Sequence, residues 1–113
     1  MEEFNLIYKK YSIIPKELLE NGYDLDMLGI SEIAWKKKEI LLIIQLLQEK
    51  RIPILGGDVY SIKRGKVILT YDNWFTINDN SVNFISNSFD NAILYITNYE
   101  KRNGNNFIYS LVF

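Results

Sequence analysis

Cysteine and histidine are both absent from the 113 residues. Their absence excludes disulfides, thiol chemistry, Cys/His zinc sites, haem ligation by either residue, and every Ser-His or Cys-His nucleophile pair. Chemistry is left to Asp, Glu, Lys, Tyr, Ser and Thr. Proline occurs only at Pro15 and Pro53, and no Gly/Ser-rich stretch interrupts the chain. No linker is therefore read, and residues 1–113 are expected to form one domain. The longest apolar run, 40–47, is broken by Gln45 and falls far short of the ~20 residues that cross a bilayer. The start, Met1-Glu2-Glu3-Phe4, has no basic region leading into an apolar one. No secretory signal is read there, and the expected compartment is the cytoplasm. Net charge is nearly absent too, at −1, which is not the footprint of a general nucleic-acid binder.

What is present suffices for a core. Hydrophobic residues make up 48% and aromatics 14%, the range of globular rather than disordered chains. A chain of this size buries roughly two-thirds of its unfolded surface and needs no staples. Ile, Asn, Lys and Tyr are abundant, the bias of an A/T-rich, bacterial coding sequence. The small net charge hides three blocks. Residues 17–32 carry Glu17, Glu20, Asp24, Asp26 and Glu32 and no base. Residues 36–66 carry eight bases against three acids, and residues 70–100 carry four acids and no base.

Patterning gives the elements. Residues 4–14 fit a short strand or an irregular lead-in. Pro15 suits the start of a short helix over 16–20, because the N–H it lacks has no partner in a first turn. Asn21-Gly22 ends it. Residues 23–34 read as loop or a further short helix. Over 36–50, Ile40, Ile43, Ile44 and Leu47 recur at helical spacing. Leu41, Leu42 and Leu46 widen that face, so this helix is buried on several sides or pairs with a second copy. Pro53 stops it. Strands follow over 54–62 and 66–77, joined by Arg64-Gly65. A helix over 82–99 carries the stripe Val82, Ile85, Phe89, Ala92, Ile93, Ile96 and Tyr99. A last strand over 107–113, apolar on both faces except Ser110, is expected inside the sheet. The expected fold is α+β: a small, mostly antiparallel sheet, hairpin plus C-terminal strand, covered by two main helices.

Two places carry candidate chemistry. In Leu55-Gly56-Gly57-Asp58-Val59-Tyr60, paired glycines inside an apolar strand mark a bulge or the close approach of a backbone or ligand. The pair lacks the Gly-Lys-Ser/Thr ending of a phosphate loop. The second place is Tyr71-Asp72-Asn73-Trp74-Phe75. If Asp58 and Asp72 meet across the hairpin, they form a carboxylate pair for acid/base work or Mg²⁺. Otherwise Tyr60, Tyr71, Trp74 and Phe75 beside those acids are ordinary core and strand residues, or suit a surface for a basic protein. Lys36-Lys37-Lys38, with Lys63, Arg64 and Lys66, reads as a solvated face.

Leu55-Gly56-Gly57-Asp58-Val59-Tyr60, with Ala34-Trp35 opening the preceding helix and Asn73-Trp74 following, resembles the immunity protein 40 family of bacterial polymorphic toxin systems. The resemblance runs over roughly 33–112 and rests on Trp35, Gly56, Gly57, Asp58, Val59 and Trp74. It implies a protein that binds and neutralises a cognate toxin domain in the bacterial cytoplasm, with no enzymatic activity and no cofactor. The expected partner-binding residues are Glu17, Glu20, Asp24, Asp26, Asp58, Tyr60, Asp72 and Trp74, with no nucleic-acid or membrane partner. The chain is expected to be a monomer or homodimer. The alternatives are a small Asp-based metal-dependent hydrolase and a module that dimerises through the 36–50 helix.

Overall fold

The computed structural model describes residues 9–113. The first part of the ambiguous 4–14 segment lies outside them, and the rest is a 3₁₀ turn at Lys9–Ile13. Pro15 directly precedes helix α1, Lys16–Glu20, and its carbonyl accepts from the Leu18 and Leu19 N–H groups. Residues 23–34 are neither plain loop nor helix. They form a two-stranded antiparallel ribbon, β1 (Tyr23–Asp24) and β2 (Ile33–Ala34), with a 3₁₀ turn at Asp26–Leu28 between them. Strands of two residues are too short for alternation to register in a sequence.

Helix α2 spans Lys37–Glu49 and buries Ile40, Ile43, Ile44 and Leu47. Leu41 and Leu46 pack partly against the same core, and Leu42 is left 49% exposed. The wide apolar face is thus mostly occupied by the chain's own core. Each fully buried aliphatic side chain contributes about 1.5–3 kcal/mol. The hairpin consists of β3 (Gly56–Lys63) and β4 (Lys66–Phe75). Arg64 and Gly65 both take positive φ, 52° and 76°, the turn whose twist matches the flanking strands.

Helix α3 runs over Phe84–Asn103. It starts after Val82, which is 95% exposed and does not belong to the buried stripe. It also continues a turn beyond Tyr99, where Lys101 and Arg102 favour the negative end of the dipole. Strand β5, Phe107–Val112, completes a sheet of order β4-β3-β5, antiparallel throughout. The structure is α+β. It corrects the place of the last strand: β3 is central and β5 lies at an end. β5 is apolar on both faces because both are covered, and at Tyr109 its outer edge bridges to Trp35.

The sheet separates two hydrophobic clusters. Val59, Trp74, Tyr109 and Leu111 belong to the main core with α2 and α3. Tyr60 and Ile108 join Leu25 and Ala34 in a smaller one, flanked by Leu28, Ile30, Ile62 and Val67. The ribbon of residues 23–34 is therefore the cover of the sheet's second face. Where that cover ends, the sheet is open.

Candidate functional site

Gly56 and Gly57 sit in regular register, opposite Phe75 and Trp74 on one side and Val112 and Leu111 on the other. A Cβ at Gly57 would overlap both the Trp74 ring and the Ser110 carbonyl oxygen, and one at Gly56 would strike the Trp74 carbonyl oxygen. The pair thus serves the close approach of backbone and ring. The bulge lies on the opposite strand. Asp58 pairs with Asn73 and Tyr60 with Leu69, so Thr70, Tyr71 and Asp72 together oppose Val59.

Thr70 holds this bulge. Its Oγ1 donates to the Val59 carbonyl at 2.7 Å and accepts from the Asp72 N–H at 3.0 Å. Tyr71 takes φ 66°, a left-handed conformation uncommon for a bulky residue, and its side chain is 84% exposed.

Between the bulge and the end of the ribbon cover lies a cleft of about 340 Å³, lined by Ile30, Glu32, Asp58, Val59, Tyr60 and residues 69, 71, 72 and 73. The structure thus brings Asp58 and Asp72 to one cleft, but not as a carboxylate pair. Oδ2 of Asp72 accepts from the Tyr99 hydroxyl at 2.7 Å, which ties it to α3. The acid that acts on Asp58 is Glu32. Burial pushes the Asp58 carboxyl up, and the Glu32 charge adds to the effect. Burial likewise raises the Tyr60 phenol, with smaller contributions from Asp58 and Glu32. Glu32 accepts from Lys10 Nζ at 3.4 Å, and the same ammonium donates to the Leu111 carbonyl at 3.3 Å. Lys10 also stands over the Phe113 ring, 5.2 Å from its centroid. Among the described residues, the Asp58 carboxyl has no hydrogen-bond or ion-pair partner.

Of the other expected partner-binding residues only Tyr60 lines the cleft. Glu17, Glu20, Asp24 and Asp26 are exposed and do not line the cleft. Glu20 pairs loosely with Lys16 at 3.9 Å, and Asp24 Oδ1 accepts from the Asp26 N–H. Trp74 and Tyr60, expected at a partner surface, are 7% and 4% exposed. Trp74 stacks on Tyr95 with ring centroids 4.8 Å apart and supports the site from the core side. Trp35 is fully buried, with its Nε1 donating to the Leu18 carbonyl. The exposed aromatics beside the cleft are Tyr71 and Phe75. Glu32 lies in the acidic stretch of the sequence, but only the fold shows that it shares a cleft with Asp58 and acts on its charge. A second hollow of about 430 Å³ runs along α3, lined by Asn91, Leu94, Tyr95, Asn98, Lys101 and Arg102. It contains none of the expected site residues.

A metal-dependent hydrolase would need further ligands around Asp58. Among the described residues no group of three or more His, Cys, Asp or Glu is placed to hold a metal ion, so the cleft's three carboxylates do not converge. No helix among these residues is long and apolar enough to cross a membrane.

Neither the curated proteins nor the solved structures contain a match to this chain. A family model does match. It covers residues 24–113, beginning at the first strand of the ribbon instead of near Ile33, and so includes the Glu32 wall of the cleft while excluding Glu17 and Glu20. The match takes in Asp24 of β1, the other four strands, both long helices and the Gly56-Gly57-Asp58 stretch, and the chain belongs to the immunity protein 40 family.

Proposed function

We propose that this protein neutralises a cognate toxin domain by binding it in the bacterial cytoplasm, acting as one folded domain without catalysis or cofactor. Membership of an immunity protein family carries this reading. Two features of the molecule support it. Exposed aromatic and apolar side chains at Leu69, Tyr71 and Phe75 stand beside carboxylates, the combination found where protein partners are anchored and steered. The acidic character of that surface suits a basic toxin domain such as a nuclease.

The test is to express the chain with the C-terminal domain encoded by the upstream neighbouring reading frame. The expected result is a stable complex on size exclusion and restored growth of cells producing the toxin domain. No complex at micromolar concentrations, together with no rescue, would overturn the proposal.

A further inference from the structure

The cleft between the ribbon and the β4 bulge has a charge problem that the described chain does not solve. Glu32, Asp58 and Asp72 line it, and neither Lys nor Arg does. Glu32 is partly compensated by Lys10, and Asp72 by the Tyr99 hydroxyl. Asp58 is half-buried, stands within the field of a second carboxylate, and its carboxyl has no hydrogen-bond or ion-pair partner among the described residues. Ionisation in that position is disfavoured, and a positive group entering the cleft would offset the cost. Beside it, Leu69 and Tyr71 present 39% and 84% of their surface to solvent. A carboxylate well with an apolar, aromatic rim is complementary to one kind of side chain: an aliphatic stem ending in a cation.

We propose that the cleft receives a lysine or arginine side chain of the toxin domain, its stem against Leu69 and Tyr71 and its charge at Asp58. The inference rests on the reading of this protein as a toxin-binding immunity protein and locates its contact. The exposed acids of α1 are the competing surface. They line no part of the cleft and lie outside the family match.

The raised Asp58 carboxyl gives the proposal a signature that a purely structural residue lacks. At neutral pH the ionised Asp58 lowers the stability of the free protein, because folding favours its protonated form. Asp58→Asn removes that cost and keeps the shape. The variant should melt at a higher temperature than the parent and bind the toxin domain about tenfold or more weakly.

The experiment measures affinity for the upstream-encoded toxin domain by calorimetry at two salt concentrations, with a melting curve for each variant. Asp58→Asn and Tyr71→Asn should each weaken binding about tenfold or more, and Asp58→Asn should flatten the salt dependence. Asn tolerates the left-handed backbone at position 71, so that variant folds. Glu17→Lys with Glu20→Lys should leave affinity within about twofold of the parent. If the parent binds and rescues growth while both cleft variants bind as tightly as the parent, the cleft proposal fails and the immunity reading stands. If the α1 double variant is the one that loses binding, the contact lies there instead. If the parent binds nothing and rescues nothing, both readings fall.

Discussion

Gly57→Ala is the sharpest test of how the site's frame is built. Two effects oppose each other. Glycine in the middle of a strand costs about 0.5–1 kcal/mol relative to alanine, so with open space around it the substitution would stabilise. The space is not open. The new methyl would overlap the Trp74 ring and the Ser110 carbonyl oxygen. The ring is held by its stack on Tyr95, and the carbonyl belongs to β5, paired along its length with β3. Neither moves without breaking other contacts, and overpacking of this kind costs about 1–3 kcal/mol. The net loss is then about 1–2 kcal/mol. For 113 residues the unfolding entropy converts this to a fall in Tm of about 4–8 °C. Thermal unfolding followed by far-ultraviolet circular dichroism reads it directly. Trp74→Leu in the Gly57→Ala background should recover part of the loss, since one of the two overlaps disappears, giving a non-additive cycle. An unchanged or raised Tm for Gly57→Ala would refute the reasoning, as would strict additivity.

The two tryptophans should differ on truncation. Trp35→Phe loses the bond to the Leu18 carbonyl, whereas among the described residues the Trp74 indole N–H is buried without a partner; the first should cost about 1–3 kcal/mol more than the second in urea unfolding. Gly65→Ala should lower stability by about 1 kcal/mol in the same assay, because φ is 76° there and nothing crowds the site. Alkaline stability should be limited by tyrosine: burial pushes the Tyr99 phenol up to about 12, with its bond to Asp72 adding to the effect, and burial raises Tyr109 in the same sense. The folded state thus holds these protons more tightly than the unfolded chain. Stability is intact below pH 10 and falls as pH rises towards 12. Tyr99→Phe should flatten that fall, as seen in pH-dependent unfolding followed by tyrosinate absorbance.

The hairpin and the two long helices were legible because each has a period of its own. Ile40, Ile43, Ile44 and Leu47 state a helix face without reference to any other element, and they are buried as that spacing requires. Arg64-Gly65 states its turn in two residues. What could not be read were relations between distant segments. The bulge at 70–72 exists only relative to the register of β3, and nothing in Thr70-Tyr71-Asp72 announces it. Whether Asp58 and Asp72 meet depends on the register of the whole hairpin: continuing the pairing of Tyr60 with Leu69 would set Tyr71 opposite Asp58, and the two extra residues in β4 set Asn73 there instead. Burial raises Asp58, and the carboxylate that adds to the effect comes from position 32, beside a strand too short to recognise. For Trp74 the sequence leaves both a surface and a core place open, since aromatics mark interfaces and are also common in strands. Its neighbour across the ladder, Gly57, held the deciding information: a missing side chain makes room for a buried ring.

These observations connect the frame to the surface. A residue such as Tyr71 in the left-handed region costs about 1–2 kcal/mol, and such strain persists only where the surroundings over-determine it. Here they do. The Thr70 hydroxyl fastens the bulge to β3. Tyr99 fastens Asp72 to α3. Trp74, seated over Gly57 and stacked on Tyr95, fixes the strand immediately beyond. Tyr71 is therefore held outward by three attachments that precede any encounter with a partner. A backbone fixed in advance loses little freedom on binding, and lost freedom is a large part of what association must offset. The same holds for Asp58, whose ionised form is disfavoured in the free protein and relieved when a cation arrives. Strain at Tyr71 and charge at Asp58 both weigh against the unbound fold, and at the proposed contact a cation beside Asp58 would offset the second.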